Sequence, residues 1–155
     1  AASPLIEFTK GEFQTVIPEQ DESIDPKTIE RVIVCSGKVY YDLVKQRSDK
    51  KLENAAIVRI EQLYPFPHKA IASVIKTYPN LTELVWCQDE PQNQGAWFFV
   101  QHNLLENMSE GMRLGYAGRP ASASPAVGYA HLHQSQQKAL LTAAFAKLKG
   151  FVITK

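Results

Sequence analysis

The chain is short of the features that most readily announce a function. Only two of its 155 residues are cysteines, too few for a disulfide scaffold. Cys35 and Cys87 both close β-rich apolar runs, where a free thiol behaves as a small hydrophobe and a reducing compartment fits. The formal net charge is only +1 with the basic residues scattered, so no footprint for nucleic acid or an anionic membrane stands out and protein or small-molecule partners are expected. No apolar run approaches the roughly 18 residues of a membrane span, and the opening AASPLIEFTKGEF lacks the basic, apolar and small-residue order of a signal peptide. The expectation is a soluble, intracellular chain. The six-residue dinucleotide glycine pattern, the Walker loop and the nucleophile elbow are all missing. There is also no initiating methionine, and the polar, small-residue start reads as a piece of something longer, with 1–12 as a linker, 13–150 as a domain and 151–155 as a tail.

What is present is a chain 45% hydrophobic, enough for one ordinary domain with a real core. Period and punctuation alternate along it. RVIVCS (31–36) is a β-branched run closed by Gly37, and the stretch after it spaces Val39, Leu43 and Gln46 at helical intervals. AAIVRI (55–60) repeats the strand signal. After the two prolines of LYPFP, Ile71, Val74, Ile75 and Tyr78 share a helical face. ELVWCQ (83–88) leads into a third helix with Trp97, Val100, Leu104 and Met108 on one stripe. MRLGYA (112–117) is a weaker strand, and from Gln137 onward Leu140, Leu141, Ala144, Phe145 and Leu148 form the best helical stripe in the chain. Strands alternating with helices predict an α/β fold with a mostly parallel sheet covered on both faces. FQTVIP (13–18), with no helix after it, is expected as an antiparallel edge strand beside 31–36, making about five strands.

In such a sheet, ligands and partners meet the loops that leave the C-terminal ends of the strands. Four loops qualify: 36–38, 61–67, 88–95 and 118–128. Lys38 in SGK could assist a phosphate at a helix start, although a plain tight turn suffices. In CQDEPQNQGAW (87–97), Asp89, Glu90 and Pro91 end the strand, and Asn93 is placed to cap the third helix. Gly95 allows a close approach, and Trp97 can bury a large face. Asp89 and Glu90 as paired carboxylates are the catalytic alternative, but adjacent strand residues point to opposite sides. His131 and His133 suit a strand or loop, with no third metal ligand nearby; His102 and His68 read as surface residues. No catalytic triad can be assembled, so no catalytic, cofactor-binding or metal-ligating residue is assigned. Lys38, Glu61, Tyr64, Asp89, Glu90, Asn93, Trp97 and Arg119 are instead expected to meet a partner surface. Arg119 heads a proline-braced run of small residues that suits close approach and forked guanidinium contacts.

CSGKVYYDL (35–43), VRIEQLYPFP (58–67), WCQDEPQNQGAW (86–97) and YAGRPASASPAVGY (116–129), in this order, closely resemble the C-terminal domain of the thiamine-dependent first component of 2-oxoglutarate dehydrogenase, in its bacterial wording. The resemblance runs from about Phe13 to Phe145. It implies a transketolase C-terminal-like domain, three-layered with a mixed five-stranded sheet. It also implies a homodimeric full-length enzyme that decarboxylates 2-oxoglutarate with thiamine diphosphate and magnesium, then passes succinyl to the lipoyl group of a dihydrolipoyl succinyltransferase. The location implied is the bacterial cytoplasm, or the mitochondrial matrix of a eukaryote. The family's Gly-Asp-Gly cofactor motif is absent from this sequence, so the resemblance implies a docking and dimer-supporting domain, inactive alone. The competing expectation is a free flavodoxin-like module that binds a nucleotide or flavin at its strand-end loops.

Overall fold

The computed structural model describes residues 12–125, 127–148 and 152–155; residues 1–11, nearly all of the expected linker, lie outside that description. The described elements are β1 (Val16–Ile17), β2 (Arg31–Cys35), α1 (Val39–Lys50), β3 (Ala55–Ile60), α2 (His68–Thr77), β4 (Glu83–Pro91), α3 (Trp97–Asn107), β5 (Arg113–Arg119), α4 (Ala130–Phe145) and β6 (Val152–Thr154). One 3-10 turn at Pro26–Thr28 precedes β2, with the Asp25 carboxylate accepting from the Lys27 amide at 2.9 Å.

The sheet order is β1-β3-β2-β4-β5-β6, with the four central strands parallel and the two edge strands antiparallel. All five residues of β2 are buried, as expected of a strand covered on both faces. Its side chains alternate, Val32 and Val34 entering one core and Ile33 and Cys35 the other. Stepping from β2 to β3 crosses the sheet one way, whereas β3 to β4 and β4 to β5 cross it the other way. Right-handed crossovers then place α1 on one face and α2 and α3 on the opposite face. The packing agrees: Val39 and Leu43 of α1 share a core with Leu140 and Ala144 of α4, while Ile71 and Ile75 of α2 join Trp97, Val100 and Leu104 of α3. The expected α/β class and three-layer plan are therefore observed. The reversal falls between β2 and β4, which opens a crevice at their C-terminal ends.

Four expectations are corrected. The edge strand at 16–17 pairs with β3, not with 31–36, because β2 already has a parallel neighbour on each side and only β3 offers a free edge. Val152–Thr154, expected within a tail, pairs antiparallel with β5 and makes the sheet six-stranded. The last helix begins at Ala130, not near Gln137, so His131 and His133 lie in its first turns, while Leu148 lies beyond its end yet packs against the core. On α1 the third buried position is Arg47, not Gln46. Arg47 reaches back to Glu19, donating to Oε1 at 2.9 Å, while Glu19 Oε2 accepts from the Ile57 amide at 2.8 Å.

Candidate functional site

The crevice is organised around one residue that the sequence does not single out. Gln88 is 2% exposed. Its Oε1 accepts from the indole Nε1 of Trp86 at 2.8 Å and from the amide of Trp97 at 3.0 Å. Its Nε2 donates to the carbonyls of Gln94 at 2.8 Å, Pro91 at 3.0 Å and Glu90 at 3.2 Å. A side chain on β4 thus serves the first amide of α3 and holds the whole connecting loop in place. Gly95, at φ +65°, sits against it: a Cβ there would lie 3.0 Å from Gln88 Nε2 and 3.1 Å from Glu90 Cβ. The close approach expected of Gly95 is observed, and Gln88 is what it approaches. The available signal was parity, because Gln88 shares the face of Trp86 in a strand buried from Glu83 to Gln88.

The role expected of Asn93 is corrected by this arrangement. The residue before α3 is Ala96, with no side-chain cap. Asn93 instead makes a reciprocal pair with the 118–129 loop, donating to the Ser122 carbonyl and accepting from the Ser122 amide, both at 2.9 Å. The strand also continues to Pro91 through a register shift after Cys87, so Asp89 and Glu90 do not end it. Asn93→Ala is expected to cost about 1 kcal/mol through the lost loop pairing. Amide exchange should quicken at Ser122 while the first turn of α3 keeps its protection; the reverse pattern would restore the capping role.

A polar chain runs along the other wall of the crevice. Lys38 Nζ lies 2.9 Å from Asp89 Oδ2, joining the ends of β2 and β4. Gln137 of α4 donates to Asp89 Oδ1 at 2.9 Å and to Asp42 Oδ2 at 3.0 Å, and accepts from Arg119 at 3.1 Å. Asp89 and Glu90 therefore do not act as a carboxylate pair: Asp89 is occupied, and Glu90 is exposed on the groove side. At the end of β3, Arg59 Nε is 2.7 Å from Glu61 Oε1, although the N–H does not point along that line, so the contact is one of charge. The Arg59 guanidinium also lies 4.8 Å from the centre of the Tyr40 ring and donates to the Tyr41 hydroxyl at 3.2 Å.

Of the eight residues expected at a partner surface, Trp97 (1% exposed) and Arg119 (6%) are buried inside this chain. Trp97 packs on Tyr116 at 5.1 Å between ring centres, and the fork of Arg119 is turned inward to α4. Neither presents its side chain outward, because the core and α4 already occupy them. Tyr64 is the opposite, 82% exposed. It stands edge-on to Phe99 at 6.3 Å, and the two border an open groove of about 480 Å³ with Leu63, Trp86, Gln88 and Glu90. Phe98, the neighbour of Phe99 on α3, is also exposed.

Chemistry on this edge is limited. Burial pushes the thiols of Cys35 and Cys87 well up, so neither supplies a thiolate at neutral pH. Among the described residues no group of three His, Cys, Asp or Glu side chains could hold a metal ion. With Asp89 committed to Lys38 and Gln137, and Glu61 to Arg59, the residues present do not fit a magnesium-held diphosphate.

The described residues contain no helix long and apolar enough to cross a membrane. Residues 2–145 match the family model described as 2-oxoglutarate dehydrogenase C-terminal. The chain is 66% identical over its whole length to a 2-oxoglutarate dehydrogenase E1 component of Cupriavidus necator, and covers 16% of that protein. It is 54% identical to the E1 component of Haemophilus influenzae, with 94% of the chain and 16% of the relative aligned. An oxoglutarate dehydrogenase of Buchnera aphidicola is 45% identical over 91% of the chain and 15% of its own length. The chain thus spans about a sixth of these curated relatives.

Proposed function

Because this chain belongs to the 2-oxoglutarate dehydrogenase C-terminal family, we propose that it serves as the C-terminal docking domain of a 2-oxoglutarate dehydrogenase first component and carries no chemistry itself. The whole enzyme decarboxylates 2-oxoglutarate with thiamine diphosphate and magnesium held elsewhere in its chain, and passes succinyl to the lipoyl arm of a succinyltransferase. It works as a homodimer in the bacterial cytoplasm. The flavodoxin-like alternative has no support in the family match.

The observation that carries the docking reading is the contrast along one edge. The polar groups of the crevice are turned toward one another, while Tyr64 and Phe99 stand exposed at an open groove and Phe98 is exposed on the same helix as Phe99. Exposed aromatics grouped on one edge are what a partner surface uses, since each buries a large area with little loss of side-chain freedom. In the full-length enzyme, Tyr64→Ser with Phe99→Ser is expected to weaken interdomain or dimer association by about tenfold or more and to lower decarboxylation, while the 155-residue chain bearing both changes melts as before. Unchanged activity and dimer dissociation would end the reading. The isolated chain should give no ferricyanide-coupled turnover of 2-oxoglutarate, nor binding heat with thiamine diphosphate and magnesium. Turnover above a buffer blank would show that the chemistry does reside here.

A further inference from the structure

The first turns of α4 project from the domain they belong to. Every residue from Gly128 to Ser135 is exposed, Tyr129 at 70% and Leu132 at 39%, and the first residue of the helix to be buried is Leu140. Leu132 belongs to neither core. The usual local supports of a helix start are missing as well. Tyr129 at the N-cap makes no side-chain cap, and the first turn holds no acidic residue to suit the helix dipole. These turns are held from behind: His133 Nδ1 accepts from Arg119 at 3.1 Å, and further along Gln137 bonds Arg119 and Asp89. A helix end with so little packing and no cap frays when nothing else covers it.

Composition marks the same stretch. From Pro120 to Gln137 there is no Asp, Glu, Lys or Arg, in a chain 21% charged. A solvated surface normally carries charges, whereas the centre of a protein contact is depleted of them, because an unpaired charge is costly to dehydrate. Exposed, uncharged and bearing Tyr129 and Leu132, the projection suits a neutral apolar recess. Its place in the fold points to the owner of that recess. Since β5 runs parallel to β4, α4 begins at the crevice edge. It packs on the face of the sheet opposite the core that Leu63, Trp86 and the groove belong to. One body seated across that edge meets both the groove and the projection, and about five-sixths of the length of the curated relatives lies outside this chain.

We propose that Tyr129, Leu132 and the first turns of α4 form a second contact surface, seated in an uncharged apolar recess of the remaining part of the same enzyme. The inference rests on the docking reading above. Its test compares amide exchange over residues 129–136 in the full-length enzyme and in the 155-residue chain, whose two cores are built from its own residues. Exchange should be slower in the enzyme by about tenfold or more. Tyr129→Asp separates contact from the helix's own stability, because the extended backbone of residue 129 lets an aspartate cap α4. It should slow exchange in the isolated chain and quicken it in the enzyme, where the carboxylate meets the apolar recess. Leu132→Glu should act in the same two directions, as an acid in the first turn suits the dipole. Equal exchange in enzyme and chain, or slowing by both variants in the enzyme too, overturns the proposal. Protection of residues 61–67 in that same enzyme would then leave the docking reading standing, whereas exchange at isolated-chain rates in both segments ends both. Protection in the isolated chain that rises with its concentration makes the occupant a second copy of this chain and likewise overturns the assignment.

Discussion

Gln88→Ala is expected to lower stability by about 3–5 kcal/mol, read as a shift of the denaturant midpoint. The side chain is buried and takes part in five hydrogen bonds. Truncation strands the Trp86 indole and the Trp97 amide as buried donors, and each such orphan costs about 1–3 kcal/mol. It also frees the carbonyls of the β4–α3 loop and leaves a hole beneath Gly95. Gln88→Glu separates these contributions. A carboxylate still accepts from both tryptophans but faces three carbonyls where the amide donated, so it should also destabilise, and more at neutral than at acid pH, where a protonated carboxyl regains one donor. A midpoint within about 0.5 kcal/mol of the unaltered chain for Gln88→Ala would show that the loop is held by its own turns.

Glu83→Ala is expected to cost a similar amount, about 3–5 kcal/mol, at the opposite edge of the sheet. In the parallel register Glu83 stands between Arg31 on β2 and Arg113 on β5. It accepts from Arg31 Nε at 2.9 Å and pairs with Arg113 through its other oxygen. The side chains of Arg31 and Glu83 are about nine-tenths buried, whereas Arg113 is 42% exposed. Removing the carboxylate therefore strands Arg31, while Arg113 turns to water. Arg31 keeps the carbonyls of Ala144 at 3.0 Å and Ala146 at 2.5 Å, at the C-terminal end of α4, where a cation also suits the helix dipole. Replacing both partners with apolar residues, Arg31→Met with Glu83→Leu, should recover much of the loss, since desolvating the pair consumes most of its attraction. If the double variant is as unstable as the single one, the hold on α4 outweighs the ion pair.

The class of the fold was legible because strands and helices carry different periods. Val32, Val34 and Ile33 alternate between two cores, and Ile71 and Ile75, or Val100 and Leu104, recur at helical spacing. The edge of the sheet that matters was legible too, since loops 36–38, 61–67, 88–95 and 118–128 follow strands running the same way. Roles inside that edge were read less well. Asn93 carried a correct local argument for a cap, yet a partner 29 residues away, Ser122, took its amide. Gln88, with partners on both sides of a turn, looked like the polar end of a strand. Arg119 looked like a reaching surface residue because the extent of α4, which encloses it, was underestimated by about two turns.

By itself, then, the sequence determined the alternation of strands and helices between about 31 and 117, and that α1 must lie on the face opposite α2 and α3 once strand order is given. These follow from interactions within a few residues and from handedness. Only the tertiary structure decided which strands are neighbours, and hence that Glu83 sits between two arginines, that Gln88 serves the start of α3, and that Asn93 ties two loops. Each of those contacts joins groups whose meeting depends on sheet order and loop path. A side chain with several possible local partners takes whichever the packed core brings within about 3 Å in a dry place, because there an unmade hydrogen bond costs more than any local preference supplies.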